Sequence, residues 1–165
     1  MADVFSKSKR SEVMARIRSR GNKATELALA KLFRRHKITG WRKQIQIVTS
    51  PQPSPQRGEG EKRVSASSPV TRHPSFTVRP DFIFPNLKLA VFVDGCFWHG
   101  CPRHGTRPKG NAAFWRKKIA RNQARDRLVN RTLRKLGWQV FRIWEHALVR
   151  KNQSRLLRRI ERALR

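Results

Sequence analysis

Cysteine is scarce: Cys96 and Cys101 are the only two in 165 residues. Two thiols cannot staple a secreted disulfide scaffold. Acidic residues are few as well. Ten Asp+Glu stand against 39 Lys+Arg, for a net charge of +29. So one-sided a chain repels itself unless something anionic is near. Nucleic acid is the first suspect and an anionic membrane surface the second. No apolar run approaches the roughly 18 residues of a spanning helix, which excludes a helical membrane protein. The opening residues, Met1 to Phe5, lack the apolar core of a signal peptide, so a cytoplasmic, nucleoid-associated location is expected. The length fits one domain, 1–165, and 38% hydrophobic content allows a modest core.

Residues 1–23 are basic and polar, with Val13, Met14 and Ile17 as a thin helical stripe. They read as an exposed helix or, more sharply, as a basic arm lying on phosphates. ATELALAKLFRRHK (24–37) reads as an amphipathic helix. Leu29, Leu32 and Phe33 are its buried face, Asn22 or Thr25 its cap, and Thr39-Gly40 its end. WRKQIQIV (41–48) alternates like a strand. Residues 49–77 are rich in Pro, Ser and Gly and poor in large apolar side chains. They read as a flexible insertion between two strands.

Two strands follow, FTVRPDFIF (76–84) and LKLAVFVDG (87–95). The second is apolar on both faces, as a central strand covered on both sides must be. CFWHGCPRHGTRPKG (96–110) is a loop. Residues 111–136 form a long helix with Phe114, Ile119, Leu128 and Leu133 on its apolar side and Gly137 at its end. A strand over 138–144 and a basic helix over 151–164 complete the chain. The order α, α, β, insert, β, β, α, β, α predicts a three-layer α/β domain with a mixed central sheet flanked by helices.

Chemistry concentrates in 81–104. Cys96, Cys101, His104 and, past the last strand, His146 make a complete tetrahedral zinc set. The competing reading is two ordinary buried thiols and two surface imidazoles. His99, between the cysteines, is left over for acid–base work or a phosphate contact. Asp81 and Asp94 are carboxylates on apolar strands, costly unless they meet a cation or donors; hard oxygens there suit Mg²⁺. Asp94-Gly95 is also a common turn former. Glu26, at a helix start, is by itself a partner for the helix dipole. Phe97, Trp98, Phe114 and Trp115 can stack on or wedge between bases. Core packing suits Phe114 better than Trp98.

Five blocks carry a resemblance: GNKATELALAKLF, RPDFIF, VFVDGCFWHGCPRHG, NAAFWRKKIARNQARD and LGWQVFRIWEHAL. In that order they resemble the very short patch repair (Vsr) DNA mismatch endonucleases. The resemblance implies a fold similar to type II restriction endonucleases. It implies nicking on the 5′ side of the T in a T:G mismatch left by 5-methylcytosine deamination, in a CT(A/T)GG-like context, with Mg²⁺. Asp81 matches the catalytic aspartate and direct Mg²⁺ ligand, and Val93 the position whose backbone carbonyl completes that contact. His99 matches the catalytic histidine. Glu26 matches the helix-borne acid near the site. Asp94 stands where the best-known member has a histidine, as a second ligand or a water-holder. Cys96, Cys101, His104 and His146 fall at or beside the structural zinc ligands, with Cys101 and His104 exchanged in type. Phe97, Trp98 and Trp115 match the wedge that enters DNA, and Lys118 and Asn122 match base-contacting positions. Double-stranded DNA is then the partner of a monomeric enzyme, with mismatch-repair proteins as further candidates. The insertion departs from the family, and the family's extra C-terminal region is expected to be absent. Two other readings stand beside this one: a restriction-type nuclease without a mismatch requirement, and a non-catalytic zinc-containing DNA-binding protein.

Overall fold

A computed structural model describes residues 25–49, 76–106, 108 and 110–165. The basic arm at 1–23 and the body of the insertion, 50–75, lie outside the described residues. Helix α1 is Glu26–Arg35. Short strands β1 (Arg42–Lys43) and β2 (Ile47–Thr49) follow, then β3 (Phe76–Val78), β4 (Phe82–Phe84) and β5 (Leu89–Asp94). The long helix α2 (Ala112–Lys135), strand β6 (Gln139–Trp144) and helix α3 (Gln153–Ala163) complete the fold.

The main sheet runs β1-β4-β5-β6. β5 is antiparallel to β4 and parallel to β6, so the sheet is mixed. Side chains alternate across β5 and recruit different partners on each face. Leu89 and Val91 join α1, α3, Phe82, Phe84 and Ile143 in one cluster. Ala90 joins Val78, Val129 and Leu133, with Phe92 and Val140 packed alongside. Helices α1 and α3 therefore cover one face and α2 the other, in three layers.

Helix ends fall where the backbone can turn left-handed. α1 stops at Arg35, before the expected Thr39-Gly40. Lys37 adopts φ 52°, and Ile38 N–H reaches back to Phe33 O at 2.9 Å. This is a Schellman closure with lysine where glycine is usual. Ile38 seats on the core beside Phe33, and that contact accompanies the strained residue. Thr25 precedes the helix but makes no side-chain cap bond. α2 closes in the same way at Gly137, φ 76°, with Trp138 N–H on Leu133 O at 2.9 Å.

Two expected strands are each broken in the middle, at one level. The stretch 76–84 divides at Arg79-Pro80-Asp81, because proline has no N–H for the ladder. The stretch 41–48 divides at Gln44, φ 51°. Gln44 N–H donates to Asp81 O across the break at 3.1 Å. β2 and β3 still pair, with Thr49 opposite Phe76. The ends of the inserted stretch thus leave and re-enter through a two-stranded ribbon.

The apolar side expected for α2 needs correction. Only Val129 and Leu133 are buried. Phe114 is 60% exposed and Leu128 48% exposed. The helix outruns the sheet, so its first turns have no core to face. No helix among the described residues is long and apolar enough to cross a membrane.

Candidate active site and metal centre

Three acids converge where β4 stops pairing with β5. The β4–β5 ladder ends at Phe82 opposite Val91, so Val93 has no backbone partner on that side. Asp81, turned by the break, takes its place: Oδ2 accepts Val93 N–H at 2.7 Å. In an extended strand the C=O of a residue lies on the same side as its N–H. The Val93 carbonyl therefore also faces the Asp81 side. Glu26 is 6% exposed, and its Oε2 accepts from Gln44 Nε2 at 2.8 Å. Gln44 thus braces two acids, Asp81 by its backbone and Glu26 by its amide. No sequence pattern marks this role, because it depends on the break.

Burial, with Glu26 and Asp94 nearby, pushes the Asp81 carboxyl up to about 6, although the Val93 N–H opposes the rise. Such a group binds a cation or a proton. Hard oxygens so arranged fit a divalent ion.

Asp94 is 5% exposed and engaged elsewhere. Arg142 Nε donates to its Oδ2 at 2.7 Å and Nη2 to its Oδ1 at 2.6 Å. The β5–β6 register sets Phe92 opposite Arg142 and Asp94 opposite Trp144, so the pair is a diagonal neighbour on the α2 face. Both Asp94 oxygens belong to this fork. Each oxygen keeps a second lone pair, so the expected roles of second metal ligand or water-holder compete here with the guanidinium.

The middle of α2 clamps the loop that follows β5. Asn122 Nδ2 donates to Trp98 O at 2.9 Å, and Gln123 Nε2 to His99 O at 3.2 Å. His99 Nδ1 meets Asp126 Oδ2 at 2.6 Å. Positions 122, 123 and 126 share one helix face. Asn122, expected at bases, has one of its two amide N–H groups committed to the loop backbone. Gly100 sits at φ 64°, where a Cβ would lie 2.9 Å from Ile119 Cγ2 and 2.6 Å from Gln123 Nε2. Only glycine lets the loop lie this close to α2. For His99, burial lowers the pKa, but the bond to Asp126 and the charge of Asp94 outweigh it and the net shift is upward. For Asp126, burial raises the pKa, but His99 and Arg142 together pull it below the usual carboxylate range. Asp126 was missed in the sequence. It carries no motif, and only its helical offset from Asn122 could have flagged it.

The cysteines and two histidines meet at the ends of β5 and β6. Cys96 and His146 both follow the register pair Asp94 and Trp144 by two residues. The parallel pairing therefore carries them out side by side. Cys96 Sγ lies 3.2 Å from His146 Nδ1, Cys101 Sγ 3.6 Å from the same nitrogen, and Cys101 Sγ 4.0 Å from His104 Nδ1. All four ligand atoms fall within 4.8 Å of one another. A tetrahedral ion with these ligands needs separations of about 3.3–3.8 Å, so the four could hold a metal with small adjustments. Asn152 Nδ2 holds the His146 carbonyl at 2.7 Å, and Glu145 Oε2 accepts Cys96 N–H at 3.2 Å. Burial, with His104 and Arg103 beside it, lowers the His146 pKa, which favours the neutral imidazole a metal requires.

Between these anchors the aromatic rings form one cluster. Phe97–Trp98, Phe97–Trp115 and Trp98–Trp115 centroids are 5.1, 5.2 and 5.9 Å apart, all edge-to-face. Phe114 extends the cluster from Trp115 at 5.2 Å. These rings are half-buried or exposed, and none sits in the core. Lys118 is exposed further along the helix.

A mixed sheet with helices on both faces and acids at the end of its central strand is a restriction-endonuclease-like domain. Known proteins narrow the class. A family model described as DNA mismatch endonuclease Vsr matches residues 71–104. The type II nicking enzyme V.NaeI of Lentzea aerocolonigenes is 54% identical over 69 residues, 42% of this chain and 42% of that enzyme. The type II nicking enzyme V.NmeAIP of Neisseria meningitidis is 32% identical over 171 residues, 99% of this chain and 100% of that one. The DNA mismatch endonuclease Vsr of Escherichia coli is 39% identical over 71 residues, 42% of this chain and 46% of that enzyme. The matched segments thus span less than half the length of V.NaeI and of the E. coli enzyme, and the whole of V.NmeAIP. The chain belongs to the Vsr family.

Proposed function

We propose that this protein is a Mg²⁺-dependent DNA endonuclease that nicks one strand 5′ of the T in a T:G mismatch. One observation carries the reading: the half-buried Asp81 carboxylate on the Val93 N–H, one residue before Asp94, whose carboxylate lies 3.7 Å from a histidine held by Asp126. Mg²⁺ bound by Asp81 and the Val93 carbonyl would neutralise phosphate charge and make a nearby water more acidic.

The chain's own groups do the rest. Asp126 fixes Nδ1 of His99, which leaves Nε2 as the nitrogen that can take or give a proton at the scissile phosphate. Glu26 orients solvent beside Asp81. Phe97, Trp98 and Trp115 form the wedge that unstacks the duplex. That unstacking costs least at a mismatch, which gives selectivity without base-edge contacts. Lys118 reaches the groove from the same helix, where Asn122 keeps its second amide N–H for a base edge beside its bond to the Trp98 carbonyl. The +29 charge supplies salt-dependent affinity for phosphates. Zn²⁺ suits the two-thiolate, two-imidazole set and would keep the loop carrying Trp98 and His99 rigid.

The test is nicking of a mismatched duplex with and without Mg²⁺. Asp81→Ala and His99→Ala are expected to lower the rate by at least about 100-fold while DNA affinity stays within a few-fold. Loss of binding by folded variants would count against these roles. The Neisseria and Lentzea relatives are type II nicking enzymes, and a second reading is nicking without the mismatch requirement. Equal nicking of the matched duplex would select it.

A further inference from the structure

Arg142 is absent from every role above, yet it is the most connected side chain near the centre. It lies on β6 and is 20% exposed. Its guanidinium forks onto Asp94 at the end of β5. The same Nη2 reaches Asp126 Oδ1 at 2.8 Å, and Nη1 reaches Asn130 Oδ1 at 3.1 Å. Its face lies over the Phe92 ring, 4.9 Å from the centroid. One fork thus ties β5, β6 and α2 together, a geometry lysine cannot reproduce.

His99 stands between two acceptors. Its Nδ1 is 2.6 Å from Asp126 Oδ2 and 3.7 Å from Asp94 Oδ1. Both carboxylates could claim the ring, with different orientations. Arg142 settles the competition. It occupies both Asp94 oxygens, and it braces the Asp126 oxygen that His99 does not use. Its fork also engages both oxygens of Asp94, the third acid beside Asp81, from the β6 side. An ion pair that only stapled α2 to the sheet would need no contact with the carboxylate that binds His99.

We propose that Arg142 is a positioning residue for the nuclease centre: it reserves His99 for Asp126 and keeps Asp94 out of the metal site. The proposal rests on the nuclease reading for its kinetic part alone. Truncating Arg142 by itself would leave Asp94 buried without a partner and threaten the fold. Two charge-balanced changes avoid this: Arg142→Lys, and Arg142→Met combined with Asp94→Asn. Each is compared with wild type in two ways. The first is single-turnover nicking at saturating enzyme, with DNA affinity measured separately. The second is the low-field proton resonance of His99 Nδ1 at one fixed pH. The double variant is expected to nick about 100-fold more slowly, the cost of a small misplacement of a reacting group. DNA affinity should stay within about 2-fold, and the His99 resonance should be lost. Arg142→Lys should fall between the double variant and wild type. Folded variants with wild-type rates and an unshifted resonance would overturn the proposal. If wild type nicks no substrate, the nuclease reading fails instead, and the resonance alone decides the role of Arg142.

Discussion

Replacing Asp81 with asparagine should stabilise the metal-free protein while destroying its activity. The carboxyl rises from the ordinary 3.8 to about 6 through burial, with Glu26 and Asp94 adding to the rise. A carboxyl whose folded pKa lies above its unfolded one favours the fold only while protonated. That support is complete below about pH 4 and is lost as pH climbs through 6. Above pH 7 the ionised group therefore costs the fold up to about 3 kcal/mol. Asp81→Asn removes the charge and keeps an oxygen to accept the Val93 N–H. In EDTA at pH 7.5, urea unfolding should show a gain of about 2–3 kcal/mol, and a melting point higher by about 5–10 °C. At pH 4 most of the difference should vanish. Added Mg²⁺ should stabilise wild type by mass action and leave the variant unchanged. A variant no more stable than wild type at pH 7.5, or a gain equal at both pH values, would refute the reasoning. Asp81 would then be an ordinary solvated carboxylate and no cation site.

The other predictions concern the wedge and the thiol cluster. Trp98→Ala should weaken binding to a mismatched duplex by about 1–3 kcal/mol, the worth of one stacked ring, measured by fluorescence anisotropy. It should weaken matched-duplex binding far less, since matched DNA resists unstacking. The purified protein should carry one zinc ion per chain, and Cys101→Ser should lower that content to a small fraction, read by a colorimetric release assay. It should also loosen the loop bearing Trp98 and His99, seen as faster amide exchange over 96–104.

Much of the fold was legible because it follows from local pattern. β5 is apolar on both faces and lies in the middle of the sheet, between helices. Gly137 ends α2, as a left-handed position requires. What escaped the sequence depends on register or on limits of length. The breaks at Gln44 and Pro80 turn two expected strands into four, and without them Asp81 could not reach the Val93 N–H. Phe114 looked like a core residue because helical periodicity cannot tell how far the sheet extends beneath a helix. The Arg142–Asp94–Asp126 network needs the β5–β6 register, which no pattern within either strand specifies. The Cys/His set was legible from its spacing, but the proximity of His146 to Cys96 comes from that same register.

The central claim is mismatch-directed nicking, and a strand-resolved assay tests it most directly. The substrate is a duplex with one T:G mismatch in a CTAGG context, labelled on both strands, beside its matched C:G control. The account predicts a Mg²⁺-dependent cut in the T strand, on the 5′ side of the mismatched T, with the control intact. Equal cutting of both duplexes, or tight binding with no cut in either, would contradict it.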